Sequence, residues 1–568
     1  MKKRWVVKDF NQEIAEHLQS VLKVHPVLCQ LLSQRSVVTY DEAKDFFRPK
    51  WEHLHDPFLM KDMDKAIDRI QEAMQRKEKI LVYGDYDVDG TTSVALVYSF
   101  LRRYYLNMDY YLPDRYKEGY GISFQGIDWA KENGFTLIIA LDCGIKAIDK
   151  VEYATEKGID FIICDHHLPG DEIPKAVAVL DPKRVDCNYP FKELSGCGIG
   201  FKLMHAYILK HDINESELTN FLDLVVISIA ADIVPVTGEN RVLAFLGLKQ
   251  LNHHPSEGVK ALIKAAGMKR ELSISDIVFS LGPRINAAGR MDDARHAVKL
   301  LISEHSEQAD NNADALNVKN KERKEVDVNI TAEALSLLVN DIDQQKKKST
   351  VLYKSHWHKG VIGIVASRML DHYYRPTIIL TESNGVASGS ARSVAGYDIY
   401  EAIKSCSDLL EQFGGHMFAA GLTLKKENVP AFIARFEEVV SSTIEDQMLI
   451  PQINIDAELS PNDISNKFYD ILKQFSPFGP HNMKPVFVTR GMVDTGHSRL
   501  VGNGHLKISL MMEGTPFQLK GIVFNGEEFL SLVKSKQPID LCYSLEENEW
   551  NNTKSLEVNV RDIKANGN

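Results

Sequence analysis

Between residues 49 and 290 short apolar runs alternate with stretches in which apolar residues recur at helical spacing, the pattern of βαβ units on a mostly parallel sheet. KILVY (79–83), LIIAL (137–141), FIIC (161–164) and AVAVL (176–180) predict strands. LDLVVISIAADIV (222–234) is too long for a typical strand and predicts a buried helix. Residues 1–48 mix polar and helical patterns around Pro26 and read as a lead-in region. No glycine falls between Gly289 and Gly360 and no proline between Pro283 and Pro376. The stretch 291–348 therefore predicts a long, mostly solvated helical connector, of the kind that bridges domains. A second α/β module begins with STVLY (349–353), GVIGIVASRML (360–370) and PTIIL (376–380), and runs to about residue 448. PVFVT (485–489), HLKISLMM (505–512) and FQLKGIVF (517–524) are short and separated by turn residues, so 449–568 predicts a small barrel or sandwich.

Composition narrows the class. At 568 residues the chain has room for several domains of roughly 150 residues each. No run approaches the roughly 18 apolar residues of a membrane span. The start, Met1-Lys2-Lys3-Arg4-Trp5, is basic but has no apolar stretch after it, so no signal peptide is expected. Seven cysteines, an odd number without a C-x-x-C pair, argue against a disulfide framework and a zinc ribbon and predict a reducing cytoplasm. A net charge of −11 gives no global attraction to nucleic acid, so such a partner would need a local basic groove.

Three of the predicted strands end in acid or histidine. KILVY leads into Gly84-Asp85-Tyr86-Asp87-Val88-Asp89-Gly90, LIIAL into Asp142, and FIIC into Asp165-His166-His167. Such strands deliver their ligands to the carboxyl edge of a parallel sheet, where open α/β folds place their sites. The Asp-x-Asp-x-Asp-Gly run opens like a calcium loop, but its twelfth position is Leu96 where that loop needs a bidentate Glu, and a strand precedes it where a helix should. Asp232 adds a carboxylate in an apolar segment, where an unpartnered charge is expensive. Together these groups suit two Mg²⁺ or Mn²⁺ ions about 4 Å apart, an arrangement that hydrolyses phosphoesters.

These motifs resemble those of the DHH phosphoesterases: Asp-x-Asp-Gly, a strand-end Asp, Asp165-His166-His167 and a further Asp. Gly360-Val-Ile-Gly363, Gly389-Ser390-Ala-Arg392-Ser393 and Gly414-Gly415-His416 resemble the DHHA1 domain that holds substrate in that family. Chain length, the Pro283-Arg284-Ile-Asn286-Ala-Ala-Gly289-Arg290 stretch and the β-rich tail are similar to the branch that degrades single-stranded DNA 5′→3′. The resemblance implies a DHH domain (49–290), a helical connector (291–348), a DHHA1 domain (349–448) and an OB-fold (449–568). It implies Asp87, Asp89, Asp142, His166 and Asp232 as metal ligands, with Asp142 bridging and His167 on metal or on the scissile phosphate. Asp142 and His167 would then carry the catalysis. Asp85 either ligates metal or shapes the turn, since many short family members have a histidine where this chain has Tyr83. Arg115, Arg284, Asn286, Arg290, Ser390, Arg392, Gly414, Gly415 and His416 would bind substrate, with Arg115, Ser390 and Arg392 on the 5′-terminal phosphate. Single-strand-binding protein and a helicase are the implied partners. The second reading is a phosphodiesterase of nanoRNA or cyclic dinucleotides.

Overall fold

The computed structural model describes residues 3–567 except 513, 515, 516, 551 and 552, and describes only the backbone of 342, 549, 550 and 553. The described residues form two compact units: those within 6–289, 294–314 and 454–567 make one, and those within 3–5, 290–293 and 315–453 the other.

The first unit is built on five strands: β1 (Lys79–Gly84), β2 (Met108–Tyr111), β3 (Phe135–Leu141), β4 (Asp160–Cys164) and β5 (Ala178–Leu180). They lie in the order β2-β1-β3-β4-β5 and every neighbouring pair is parallel. Ile80, Leu81, Val82 and residues 137–141 and 161–164 are all buried, which is why these strands read as unbroken apolar runs rather than alternating ones. On one side Leu81, Tyr83, Ile138, Ala140, Phe161 and Ile163 share a core with Ile127 and Val151 of two flanking helices. Helices α1 (Val88–Arg102), α2 (Gly196–His211) and α3 (Leu222–Ala231) pack on one another beside β1 and β3. The run at 222–230 is helical and buried on every face, as its length predicted. The chain moves from β1 to one side for β2 and returns to the other side for β3, so the switch point of the sheet lies between β1 and β3.

Residues 6–47 are not a mere lead-in. Leu18, Leu28, Leu31 and Leu32 of their helices share one core with Phe468, Phe475 and Phe487 of the C-terminal segment. The Gln30 and Gln34 amides both donate to the Asp456 carbonyl at 2.8 Å. Buried Arg241 ties the assembly together, donating to the carbonyls of Phe46, Phe475 and Ser476 and lying 3.7 Å over the Phe46 ring. In the C-terminal segment Phe487–Asp494, Ile539–Trp550, Thr553–Ala565, Gln518–Val523 and His505–Met512 pair in sequence. The pairing of Met492 with Met512 and Asp494 with Leu510 closes the ring, giving the predicted small barrel.

The connector is α4 (Ser306–Val339), a single helix of 34 residues. It is less solvated than its composition predicted: Ala309, Ala313, Leu316, Asn320, Arg323, Asp327, Ile330, Ala334 and Leu338 form one buried stripe. The polar members hide the stripe in sequence. Within it Arg323 donates to Asn320, and Arg368 meets Asp327 at 2.7 Å.

The second unit holds β6 (Thr350–Tyr353), β7 (Thr377–Ser383), β8 (Val386–Arg392), β9 (Gln412–His416) and β10 (Ala419–Leu424), ordered β9-β10-β8-β7-β6. Only β6 and β7 are parallel. Helix α5 (Ile362–His372) packs against β7 and β8. Among the described residues no helix is long and apolar enough to cross a membrane.

Candidate metal centre

Past β1 the chain turns through Asp85 and Asp87 into α1. Asp87 caps that helix, accepting the Gly90 N–H at 3.1 Å. The motif needs its glycine for space: a Cβ on Gly90 would lie 2.4 Å from the Asp85 carbonyl oxygen. Asp85 is fully buried, with Oδ1 3.5 Å from the Gly121 N–H and Oδ2 without a partner. Burial, reinforced by the charge of Asp87, pushes its pKa well up. Tyr83 is core: its hydroxyl donates to the Gly121 carbonyl at 3.0 Å and accepts the Ser123 N–H at 3.2 Å.

Asp142 follows β3 in left-handed backbone, φ +60°, a conformation that aspartate tolerates. Its N–H donates to the Cys164 carbonyl at 2.8 Å, linking the ends of β3 and β4. After β4, Asp165 organises both histidines. Its Oδ1 accepts the N–H groups of His166 (2.8 Å) and His167 (3.1 Å) and lies 2.7 Å from His167 Nδ1, while Oδ2 accepts the Ile145 N–H at 2.9 Å. Burial alone would raise the Asp165 pKa, but the bond and charge of His167 bring it to about 2. Burial opposes the charge on His167, yet the same bond raises its pKa to about 9. Asp165 therefore holds the His167 ring through Nδ1 and favours its charged form.

His166 is the centre of the cluster. Its Nε2 lies 3.2 Å from Asp142 Oδ1, 3.6 Å from Asp89 Oδ2 and 3.6 Å from Asp232 Oδ2. Neither ring nitrogen has a hydrogen-bond partner, although the residue is buried. Burial lowers its pKa, so the ring stays in the neutral form that ligates metal. Two groups of ligand atoms each lie within 4.8 Å of one another: Asp142, His166 and His167, and Asp89, His166 and Asp232. Neither Asp85 nor Asp87 joins these groups among the described residues, but both raise the pKa of Asp142, behind burial and Asp89. Asp232, at the end of α3, is likewise pushed up by burial and Asp89. Several carboxylates cannot stay ionised in one buried volume without a cation. The orphaned nitrogens of His166, the orphaned Oδ2 of Asp85 and an all-oxygen-and-imidazole donor set fit hard divalent ions.

The sequence did not reveal what holds Asp89. Its Oδ2 accepts the Gly196 N–H at 2.7 Å; its Oδ1 accepts the Cys197 N–H at 2.8 Å and the Ser228 hydroxyl at 2.6 Å. The first two donors open α2, so the positive end of a helix steadies the carboxylate. The available signal was the small-residue run Ser195-Gly196-Cys197-Gly198-Ile199-Gly200 at the head of an apolar helix.

In the same unit Arg115 lies 5.0 Å over the Tyr86 ring, Tyr86 meets Tyr120 edge-on at 5.8 Å, and Tyr120 meets His167 at 6.1 Å. Arg115 thus stands beside the acidic turn. Arg284 donates to the Ser280 carbonyl at 2.6 Å, and Asn286 is half-buried on the following turn. The helix that carries them packs closely on the acidic turn, since a Cβ on Gly289 would lie 2.7 Å from the Tyr86 carbonyl oxygen.

The second unit gathers most of the other predicted substrate residues on one sheet face. Register puts Ser390, Gly421 and Gly414 in one row across β8, β10 and β9, and Arg392, Ala419 and His416 in the next row on the same face. Arg392 donates to Ser390 Oγ and Ser367 Oγ, both at 3.2 Å, so its guanidinium lies along a floor of small residues. Gly363 leaves it room: a Cβ there would sit 2.9 Å from Ser390 Oγ. Gly415 points to the opposite face, and its φ of +148° suits glycine. Arg290 lies in this unit too, donating to the Gly360 carbonyl at 3.1 Å.

Family models match three parts of the chain: DHH family, N-terminal domain (79–229), DHHA1 domain (346–442) and RecJ OB domain (455–562). The single-stranded-DNA-specific exonuclease RecJ of Bacillus subtilis is 38% identical over 99% of this chain and 71% of its own length. The protein of the same name from Escherichia coli is 33% identical over 97% and 98% of the two chains. The crystal structure of RecJ in complex with Mn²⁺ from Thermus thermophilus superposes with a TM-score of 0.83 at 25% identity, covering 99% of this chain and 79% of that one. A second structure, exonuclease RecJ bound to manganese, matches with a TM-score of 0.59 at 30% identity over 68% and 96% of the two chains.

Proposed function

Because this chain belongs to the RecJ family of single-stranded-DNA-specific exonucleases, we infer that it degrades single-stranded DNA 5′→3′ to mononucleotides, using two divalent cations, Mn²⁺ or Mg²⁺. The observation that carries the reading is His166: buried, both nitrogens unpartnered, with carboxylates from three separate elements within 3.6 Å of its Nε2. Asp89, Asp142, His166 and Asp232 would hold the ions, with His166 common to both groups of ligand atoms and Asp85 and Asp87 adding negative charge that bears on Asp142. When bound, the ions activate a water and stabilise the attacking and leaving oxygens.

The chain's own groups do the rest. Asp89 is held by two backbone N–H groups and a hydroxyl, so it presents a fixed carboxylate. His167, kept cationic by Asp165, donates to a non-bridging oxygen of the scissile phosphate. Arg392 and Ser390 offer donors to a terminal 5′-phosphate, Arg392 through its planar fork. The glycine floor of Gly414 and Gly421 lets the strand approach the sheet closely. The closed barrel would track the backbone of the following nucleotides. Work on opened DNA in the cytoplasm, beside a helicase and single-strand-binding protein, follows from that substrate, and seven free, buried cysteines suit a reducing compartment.

A 5′-phosphorylated oligonucleotide labelled separately at each end tests the reading. The 5′ label should be released first as a mononucleotide, only with Mn²⁺ or Mg²⁺, and duplex should resist. Release from the 3′ end, or faster turnover of a cyclic dinucleotide, would overturn it.

A further inference from the structure

Helix α3 ends at Asp232, and the next residue, Ile233, has φ +60°. Left-handed backbone is common just past a helix C-terminus, but glycine or asparagine ordinarily fills it. A β-branched side chain there is strained, because its Cβ crowds the carbonyl oxygen. Ile233 is 63% exposed, so no packing in the core compensates. Pro235, two residues on, already bars the helix from continuing. A strained, unburied residue one peptide bond from a carboxylate of the metal centre points to what that centre binds.

Leu168 holds a comparable exposed position on the other arm, in unstrained backbone. It is 70% exposed and follows His167 directly. Asp232 and His167 each share a group of close ligand atoms with His166, so two large aliphatic side chains leave the backbone beside the same cluster.

We propose that Ile233 is a specificity-determining residue which, with Leu168, packs on the nucleobase of the nucleotide whose phosphate occupies the metal centre. This rests on the nuclease reading above. Every base has an apolar face, so aliphatic contacts accept any sequence. A base still stacked and paired in a duplex cannot offer that face, so the contact favours single strands. The strain at Ile233 is then a cost in stability kept for substrate binding.

The test uses Ile233→Gly and Leu168→Ala in the full chain with Mn²⁺, comparing a 5′-phosphorylated single strand with bis(p-nitrophenyl) phosphate, a diester without a base. Ile233→Gly should hold or raise Tm, because glycine accepts φ +60° freely. In both variants the ratio of DNA to small-ester kcat/KM should fall at least tenfold, mainly through KM for DNA. An unaltered ratio overturns the proposal. So does a lower Tm in Ile233→Gly with parallel loss on both substrates, which would mark a structural role. If the unsubstituted chain hydrolyses neither substrate, the nuclease reading fails instead, and this is seen before any variant is compared.

Discussion

Gly196 approaches Asp142 so closely that a Cβ on it would lie 2.6 Å from the Asp142 Cβ and 2.8 Å from its Oδ1. The same residue donates its N–H to Asp89. One glycine therefore seats two carboxylates that come from different strand ends, one from behind and one head-on. Gly196→Ala must displace one or both. Since groups that orient metal ligands are typically worth 10–100-fold in metal affinity, the variant should bind Mn²⁺ about 10–100-fold more weakly. The shift of Tm with added Mn²⁺ reads this directly: it should move to higher metal concentration, with little change in the Tm of the metal-free protein.

Arg392 lies on the small-residue floor of the second unit and donates to Ser390 and Ser367. Arg392→Gln should cut the preference for a 5′-phosphoryl over a 5′-hydroxyl strand by roughly 10–100-fold, the scale of a hydrogen bond to a charged group. Arg392→Lys should restore only part of it, since a point charge lacks the planar fork. Equal rates on the two strands in the unsubstituted chain would remove the 5′-phosphate from this face.

Lys202 and Glu239 form a buried ion pair at 2.9 Å, with side chains 0% and 1% exposed. Glu239 also accepts the Tyr189 hydroxyl at 2.6 Å and the His55 N–H at 2.9 Å. Lys202→Met leaves that carboxylate uncompensated and should cost about 3–5 kcal/mol in urea unfolding. Adding Glu239→Gln should recover much of the loss, because the neutral amide no longer needs a counter-charge.

His205 is buried between Trp51 and Phe201, its Nδ1 without a partner, and burial, helped by Lys202, lowers its pKa to about 3. The unfolded chain takes up a proton near pH 6.5 that the folded chain refuses, so stability is full above pH 6.5 and falls as pH drops toward 3. Between about pH 6.5 and 4.5 this amounts to roughly 2–3 kcal/mol. His205→Leu should lose less stability than the parent over that interval by about this amount, measured by urea unfolding at both pH values.

The ligands that end strands were legible because a parallel strand buried on both faces is an apolar run, and its first charged residue marks the sheet edge. Asp142, His166 and His167 announce themselves this way, and Asp232 does so by interrupting an apolar helix. Their supports were not legible. Gly196 and Ser228 reach Asp89 across more than a hundred residues, and only tertiary packing joins them. The part Asp165 plays was not legible either: its Oδ1 orients the two histidines and its Oδ2 accepts the Ile145 N–H. The buried stripe of α4 was hidden because Asn320, Arg323 and Asp327 occupy it, so the apolar period breaks just where the polar partners sit. On the substrate side Ser390 and Arg392 were identifiable as a motif, but their alignment with Gly414 and His416 depends on strand register, which no local pattern specifies.

The shared core of residues 14–47 and the C-terminal barrel sets an order of events in the cell. Leu18, Leu28, Leu31 and Leu32 have no core of their own to complete; their partners Phe468, Phe475 and Phe487 lie more than four hundred residues later. At about 5–20 residues per second, a ribosome needs on the order of half a minute or more to supply them. These helices must therefore wait, apolar faces uncovered, through the synthesis of the residues between, and are the natural place for a chaperone to hold the nascent chain.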